Sequence, residues 1–556
     1  MEGNRPETQN TPQQETGGAK IAGSSYQPRI MFFLVLLGIA LRAWAYFRDT
    51  SLYLDEILLS RNILQLPLGH LLTKPLALDQ VAPCGFLLFE RLSVNVFGPN
   101  EMALRLVPFV CGLASLFLFR RLAEKILPPI GSAIALFLFA IGVPFIRFGA
   151  EVKQYECDLL CAIVLPLLAL KLLEREGSTQ RPVFTGLAGF LIIWFSQASV
   201  LVMAGIGLGL ALEWLFSRKT GRALLFTIPL WAVASLVAIV AGMHSMTPST
   251  KQFMNNFWAG AFFPFPFHWS TGAIWIGQRF LELFSDATLL RYQWPLVFAL
   301  LATAGIVALW MRNRVSALFL IGPPLVALAA AIAHQYPFRG RLAFWLLPAA
   351  LLTMAAAADW IRSKASALHP AVGALVVLAF LIVPVMALAE APPPYETEHT
   401  WEILSYLQQH RQPGDVIYVL QLSEVGIRFY GPRYGLQPNE WITGACNFND
   451  SRVFLRDVDR FRGVKRLWVL AGTGRALRPV HTAVRNYLGT IGVRRDAQTY
   501  PSMLYTSMTI ELYDLSDPTR WATASAETFP APPMPSDPKI GCREWTKHDF
   551  NWAFRQ

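Results

Sequence analysis

Charge is what this sequence has least of. Only 15% of its 556 residues are Asp, Glu, Lys or Arg, while 54% are hydrophobic. Soluble domains carry about 25% charged residues. That shortage excludes a water-soluble globule of this length. Several apolar runs reach the roughly 20 residues that cross a bilayer. Cysteine is scarce as well, with six residues and no zinc-binding spacing. Cys111 and Cys161 fall in apolar runs and read as core; Cys446 and Cys542 fall in the C-terminal part, where they could form a disulfide. There is no Walker loop, no GxGxxG at a strand–helix turn, no HExxH and no Ser/His/Asp set. No Lys/Arg cluster suggests a nucleic-acid partner, so the net charge of +11 needs another explanation. A cleavable signal peptide is not evident either. The first apolar run follows a polar Gly, Thr and Gln-rich tail, residues 1–28, that reads as disordered.

What the chain has is a series of spans. Apolar segments lie at 30–47, 103–119, 130–145 and 159–173. The stretch 184–216 would be about 50 Å long as a helix, too long for one crossing. Both its flanks are basic, so it is expected to turn at Ser196-Gln197-Ala198-Ser199 and cross twice. Further segments follow at 223–243, 294–311, 317–333, 342–360 and 371–389, which makes about eleven transmembrane helices across 29–390. Between the first two spans, 58–72 and 86–97 read as interfacial helices. Residues 244–291 form a loop rich in Phe, Trp and Pro. Short loops carrying Arg120/Arg121/Lys125, Arg175/Arg181, Arg218/Lys219/Arg222, Arg312/Arg314 and Arg362/Lys364 alternate so as to share one side, the cytoplasm.

After Ala391-Pro392-Pro393-Pro394 the composition turns soluble. Helical patterns at 401–410, 453–461 and 480–488 alternate with strand patterns at 416–420, 466–470 and 508–513. Residues 391–556 therefore read as a small α/β domain, on the extracytoplasmic side.

Three stretches on that same side carry candidate chemistry. Ser51-Leu52-Tyr53-Leu54-Asp55-Glu56 places two adjacent carboxylates just beyond the first span, suited to a general base, a metal ligand or both. On an extended backbone the two point opposite ways. Glu151-Val152-Lys153-Gln154-Tyr155-Glu156-Cys157-Asp158 enters the fourth span; as a helix it would align Glu151, Tyr155 and Asp158 on one face. His334-Gln335-Tyr336-Pro337-Phe338-Arg339-Gly340-Arg341 sets two arginines about a glycine, matched to phosphate oxygens. Each stretch alone also fits charges solvated or snorkelling at the interface.

Taken in order, these features resemble the polytopic glycosyltransferases of the GT-C fold. The likeness is to the dolichyl-phosphate-mannose–protein mannosyltransferase family 39 and its bacterial aminoarabinose-transferase-like relatives. It runs over about 30–389 and includes Ala82-Pro83 before Phe86-Leu87-Leu88, Glu101-Met102-Ala103-Leu104-Arg105-Leu106, Trp194-Phe195-Ser196-Gln197 and Tyr336-Pro337-Phe338-Arg339-Gly340-Arg341-Leu342. The resemblance implies a polyprenyl-phosphate sugar donor, work on the periplasmic or lumenal face, and Asp55 as the catalytic carboxylate. The aminoarabinose transferases place a metal-binding Glu shortly before a Pro in the first loop; here that stretch is Asp79-Gln80-Val81-Ala82-Pro83.

The expectation is a polytopic α-helical, GT-C-like membrane protein with a C-terminal soluble α/β domain, set in a bacterial inner membrane among lipids. It would move a sugar, with inversion, from a polyprenyl-phosphate donor to an extracytoplasmic acceptor: lipid, glycan or protein. Asp55 and Glu56 are the catalytic candidates. Lys153, Tyr155, Arg339 and Arg341 are candidates for the donor phosphate, with Glu151 and Asp158 as supporting acids. A divalent metal ion could share the work of the cations. The alternatives are a flippase or transporter of a lipid-linked saccharide and a non-catalytic scaffold.

Overall fold

The computed structural model describes residues 27–174, 179–218, 220–266, 268–286, 288–445, 450–474, 478–502 and 506–532. Cys446, Cys542 and the tail before Gln27 lie outside the described residues.

Helices occupy all eleven places where spans were expected. Among the described residues, eight are long and apolar enough to cross a membrane: Gln27–Phe47, Glu101–Ile126, Ser199–Ser217, Ala223–His244, Pro295–Arg312, Arg314–Ile332, Gly340–Ser366 and Pro370–Glu390. Pro129–Ile141 and Val143–Ala150 make a ninth if counted as one span, bent by 55°. Gly142 is extended at the break, and Pro144, in the first turn of the next helix, has no N–H with which to continue the bonding of the helix before it. Two of the eleven helices fall short by length or charge alone. Tyr155–Leu173 carries Glu156, Asp158 and Lys171, and Gln180–Ile192 has only 13 residues. Residues 193–198 turn the chain between Gln180–Ile192 and Ser199–Ser217, where the basic flanks required a turn.

Small residues let these helices approach closely, as van der Waals packing in lipid requires. A Cβ on Gly305 would fall 1.7 Å from the Thr353 carbonyl oxygen, and one on Gly205 would fall 2.2 Å from the Pro323 nitrogen.

The first loop carries helices where they were expected, as Leu54–Gln65, Leu68–Thr73 and Cys84–Phe97, but the first begins earlier, so Asp55 and Glu56 open a helix and are not extended. The aromatic loop contains Pro248–Phe257 and Trp269–Ser285. The second of these reads as loop because Trp, Gly and Thr interrupt its apolar stripe.

In the C-terminal domain, β1 (Val416–Val419), β2 (Ile442–Thr443), β3 (Leu467–Gly474), β4 (Val493–Tyr500) and β5 (Thr506–Asp514) form one sheet in the order β2-β1-β3-β5-β4. β1 runs parallel to β2 and β3, while β5 is antiparallel to β3 and β4. The sequence reading missed β4, a polar strand, and the helix Gln421–Tyr430. The domain is not tethered loosely. Leu52, Ile57 and Phe86 share one buried core with Ile403, Tyr430 and Trp468. Arg433 also pairs with Glu101 at 3.2 Å, and the Tyr430 hydroxyl accepts the Leu52 N–H at 2.9 Å. The domain therefore sits on the face of the bundle that carries Asp55.

Candidate active site

Glu56 anchors this region. It is 1% exposed, and both its oxygens are occupied. Oε1 accepts Arg105 Nε at 3.1 Å and the Val152 N–H at 2.8 Å; Oε2 accepts Arg105 Nη2 at 3.0 Å and the Tyr53 N–H at 3.1 Å. The bond to Tyr53 is the carboxylate half of a capping box, satisfying a donor the helix leaves open. The bond to Val152 joins the first loop to the second candidate stretch. Arg105 completes the joint through the Thr50 carbonyl at 2.7 Å.

Asp55 has a different environment. Its side chain is 27% exposed, and its Oδ2 lies 2.5 Å from Arg341 Nη1. Burial alone would raise its pKa, but Arg341 and then Lys153 outweigh burial and hold it down to about 2. Lys153 is itself buried and donates to Gln80 Oε1 at 2.9 Å. Its ammonium is pushed down to about 8, first by burial, with Arg341 adding to the shift against Asp55, Glu56 and Glu151. Arg341 lies 5.9 Å from the ring centres of both Tyr155 and Trp258. Its orientation depends on Gly340, whose φ of +52° suits a residue without a Cβ. The Phe338 N–H, bonded to the Ala261 carbonyl at 3.1 Å, holds this arginine loop against the aromatic loop.

Asp55, Lys153, Tyr155 and Arg341 thus come together from three stretches far apart in the chain. Arg339 takes another partner: its Nε is 3.6 Å from Glu282, which also binds Arg279 at 2.7 Å. Glu151 is not on the Tyr155–Leu173 helix, so the expected Glu151/Tyr155/Asp158 face does not form. The helix starts at Tyr155, and Glu151 instead accepts Arg147 Nε at 2.5 Å and faces the Tyr53 hydroxyl at 3.4 Å. Asp158 turns towards Ser196 and Ala198, in the reversal between Gln180–Ile192 and Ser199–Ser217.

Sequence reasoning missed three members of this site. Arg105 lies in the quoted Glu101–Leu106 motif, but nothing there showed its partner. Trp258 was one aromatic among many. Glu398 gave no signal at all. It comes from the linker after the last membrane helix, and its carboxylate accepts the Leu54 N–H beside Asp55. Burial, with Asp55 and Glu56 adding to it, pushes it up to about 8.

Two apolar grooves open between the helices. The larger, about 690 Å³, is lined by residues such as Phe89, Val107, Cys157 and Phe195 and has no charged residue in its lining. The smaller, about 220 Å³, runs past Phe280, Leu328, Phe338 and Leu346 and includes Arg279. Only the smaller one meets a cation, through the Arg279–Glu282–Arg339 chain.

Asp55 faces cations rather than further metal ligands. Among the described residues, His, Cys, Asp and Glu ligand atoms converge in threes only at Glu396, His399 and Glu402, a group that does not include Asp55. Asp79 accepts the Thr250 hydroxyl at 3.0 Å. The donor set at Asp55 therefore does not fit a metal, and no step is derived through one.

No protein-family model and no curated protein matches the sequence. Among solved structures, the chain is similar to the Archaeoglobus fulgidus oligosaccharyltransferase bearing a tethered acceptor peptide, at 13% identity and a TM-score of 0.47, over 87% of this chain and 74% of that one. It is also similar to ArnT from Cupriavidus metallidurans in the apo state, at 14% identity and a TM-score of 0.46, over 87% and 98%. ArnT bound to undecaprenyl phosphate gives 12% and 0.46, over 88% and 98%. Likeness at this level assigns neither a family nor an activity.

Proposed function

We propose that this protein is an inverting membrane glycosyltransferase of GT-C type. It would take a sugar from a polyprenyl-phosphate donor and pass it to an extracytoplasmic hydroxyl or amine. The observation that carries the reading is the meeting of Asp55 with Arg341 and Lys153 at the edge of the bundle. A partly exposed carboxylate beside two cations offers both halves of the reaction: a base for the acceptor and a positive site for the leaving phosphate.

In the reaction, the acceptor oxygen or nitrogen attacks the anomeric carbon as the bond from that carbon to the phosphate oxygen breaks. The electron pair leaves with the phosphate, towards Arg341 and Lys153. Asp55 takes the acceptor's proton. A carboxylate with a pKa held near 2 is a weak base, because efficient proton transfer needs a pKa nearer the working pH. The arriving phosphate relieves this by competing for the Arg341 guanidinium, which lets Asp55 regain basicity only when donor is bound. Glu56, with both oxygens occupied, fixes the helix that presents Asp55 and is not the base. Arg339 acts at the entrance of the smaller groove, where the prenyl chain would lie. On this reading the C-terminal domain, Asp55 and the arginine loop face the periplasm.

The test is transfer from a labelled polyprenyl-phosphate sugar by the purified chain, compared with Asp55→Asn. Transfer that depends on Asp55 supports the reading. Absence of transfer with a panel of such donors, together with absence of polyprenyl-phosphate binding, removes it.

A further inference from the structure

One group of metal-ligating side chains lies outside the transfer chemistry. Glu396, His399 and Glu402 sit where the linker from the last span enters the helix Thr400–His410. His399 Nδ1 is 2.9 Å from Glu396 Oε2 and 3.7 Å from Glu402 Oε2, and one ligand atom from each residue lies within 4.8 Å of the others. Ligands around a zinc ion at about 2.0–2.2 Å stand roughly 3–3.5 Å apart, so side-chain adjustments of under about 1 Å would close the set.

Two further observations set this group apart from a chance cluster of acids. His399 Nε2 lies 3.2 Å from the Pro501 carbonyl, and the ring lies against Tyr500. Both ring nitrogens donate, Nε2 to that carbonyl and Nδ1 to Glu396; a metal that displaced the Nδ1 proton would find the Nε2 bond already holding the tautomer whose Nδ1 lone pair faces the two carboxylates. Metal-binding histidines are commonly held this way, by an outer carbonyl. In addition, no described Lys or Arg forms an ion pair with either acid, although the chain has 48 Lys and Arg against 37 Asp and Glu.

We propose that Glu396, His399 and Glu402 bind a divalent transition-metal ion, with Zn²⁺ the best match. One imidazole nitrogen and two carboxylate oxygens suit Zn²⁺, whereas Ca²⁺ and Mg²⁺ take oxygen ligands. The three side chains are partly exposed, so water completes the coordination. The ion would be structural. The segment it closes is bonded to the first loop, because the Ser51 hydroxyl donates to the Glu398 carbonyl and accepts the Thr400 N–H at 3.3 Å. It is also bonded to the chain after β4, because the Ser502 hydroxyl donates to the Glu396 carbonyl at 3.0 Å.

The test is titration of the untagged, chelator-stripped full chain in detergent with Zn²⁺ by calorimetry, and with Co²⁺ by visible absorption. The expected result is one Zn²⁺ per chain, a higher unfolding temperature with Zn²⁺, and Co²⁺ ligand-field bands. Glu396→Gln/Glu402→Gln and His399→Ala should each weaken Zn²⁺ by at least about tenfold, as loss of metal-site partners typically does. The glutamines preserve shape, so the double variant folds even if the alanine variant does not. No Zn²⁺ binding, or unchanged stoichiometric binding in the double variant, overturns the proposal and leaves an ion-paired histidine. Neither readout depends on sugar transfer.

Discussion

Arg341 Nη1 lies 2.5 Å from Asp55 Oδ2, with the ring centres of Tyr155 and Trp258 each 5.9 Å from the guanidinium. The same arginine therefore restrains the proposed base and is the nearest cation for the proposed leaving group. Arg341→Ala should weaken donor binding by about 10–100-fold, the range of one charge-assisted hydrogen bond at roughly 1.5–3 kcal/mol. Arg339→Ala should cost less, because Arg339 is more exposed and already paired with Glu282. Binding of a polyprenyl-phosphate analogue to both variants checks this; equal losses would place the phosphate between the two arginines.

Lys153 gives the proposed site a pH dependence. Burial pushes its ammonium down to about 8, so it is charged below that pH and loses its proton as pH rises through it. Donor affinity should fall above about pH 8. Lys153→Arg should carry affinity to higher pH, since a guanidinium stays protonated throughout. Asp55, held at about 2, stays ionised across this range and contributes no limb between pH 5 and 9. Binding measured from pH 6 to 10 on both proteins decides it.

Glu56→Gln is expected to act on stability. It leaves Arg105, which is 3% exposed, as a buried charge without its carboxylate. Breaking a buried pair in this way typically costs about 3–5 kcal/mol. The unfolding temperature should drop clearly and the folded yield should fall. A variant as stable as the parent would mean that the Glu56–Arg105 joint does not hold the loop.

The spans were legible in the sequence because the bilayer demands long apolar runs, and the turn at 193–198 followed from length and flanking charge. The site was legible only in part. Asp55, Lys153, Tyr155 and Arg341 stood out as charges or aromatics at span boundaries, but their convergence depends on Glu56 and Arg105, whose pairing is non-local. Glu151 was misplaced because a helical register was extended back across 151–154, where the backbone bends. Glu398 was invisible for the same reason as β4: neither a lone acid in a linker nor a polar edge strand leaves a periodic signal.

Helix contact makes its own prediction. Gly305→Ala places a methyl group against the Thr353 backbone, which cannot move aside as a side-chain end would. Overpacking typically costs about 1–3 kcal/mol, and a backbone contact this close belongs at the upper end. Thermal unfolding in nanodiscs should show the loss. An unchanged midpoint would mean that the Pro295–Arg312 and Gly340–Ser366 helices separate at little cost.

Orientation is tested by a cysteine at Gln408, exposed on the helix Thr400–His410. With the native cysteines replaced, an impermeant maleimide should label it in intact cells. Labelling only after lysis would put the whole site in the cytoplasm.

The central claim rests on Asp55, and the most direct measurement is single-turnover transfer by Asp55→Asn, with donor affinity measured on the same preparation. Asn keeps the shape, so expression and donor binding should survive, while transfer should fall by about 10²–10⁴-fold, the usual contribution of positioned proton transfer. Transfer at near the parent rate, with donor bound, would contradict the assignment of Asp55 as the base.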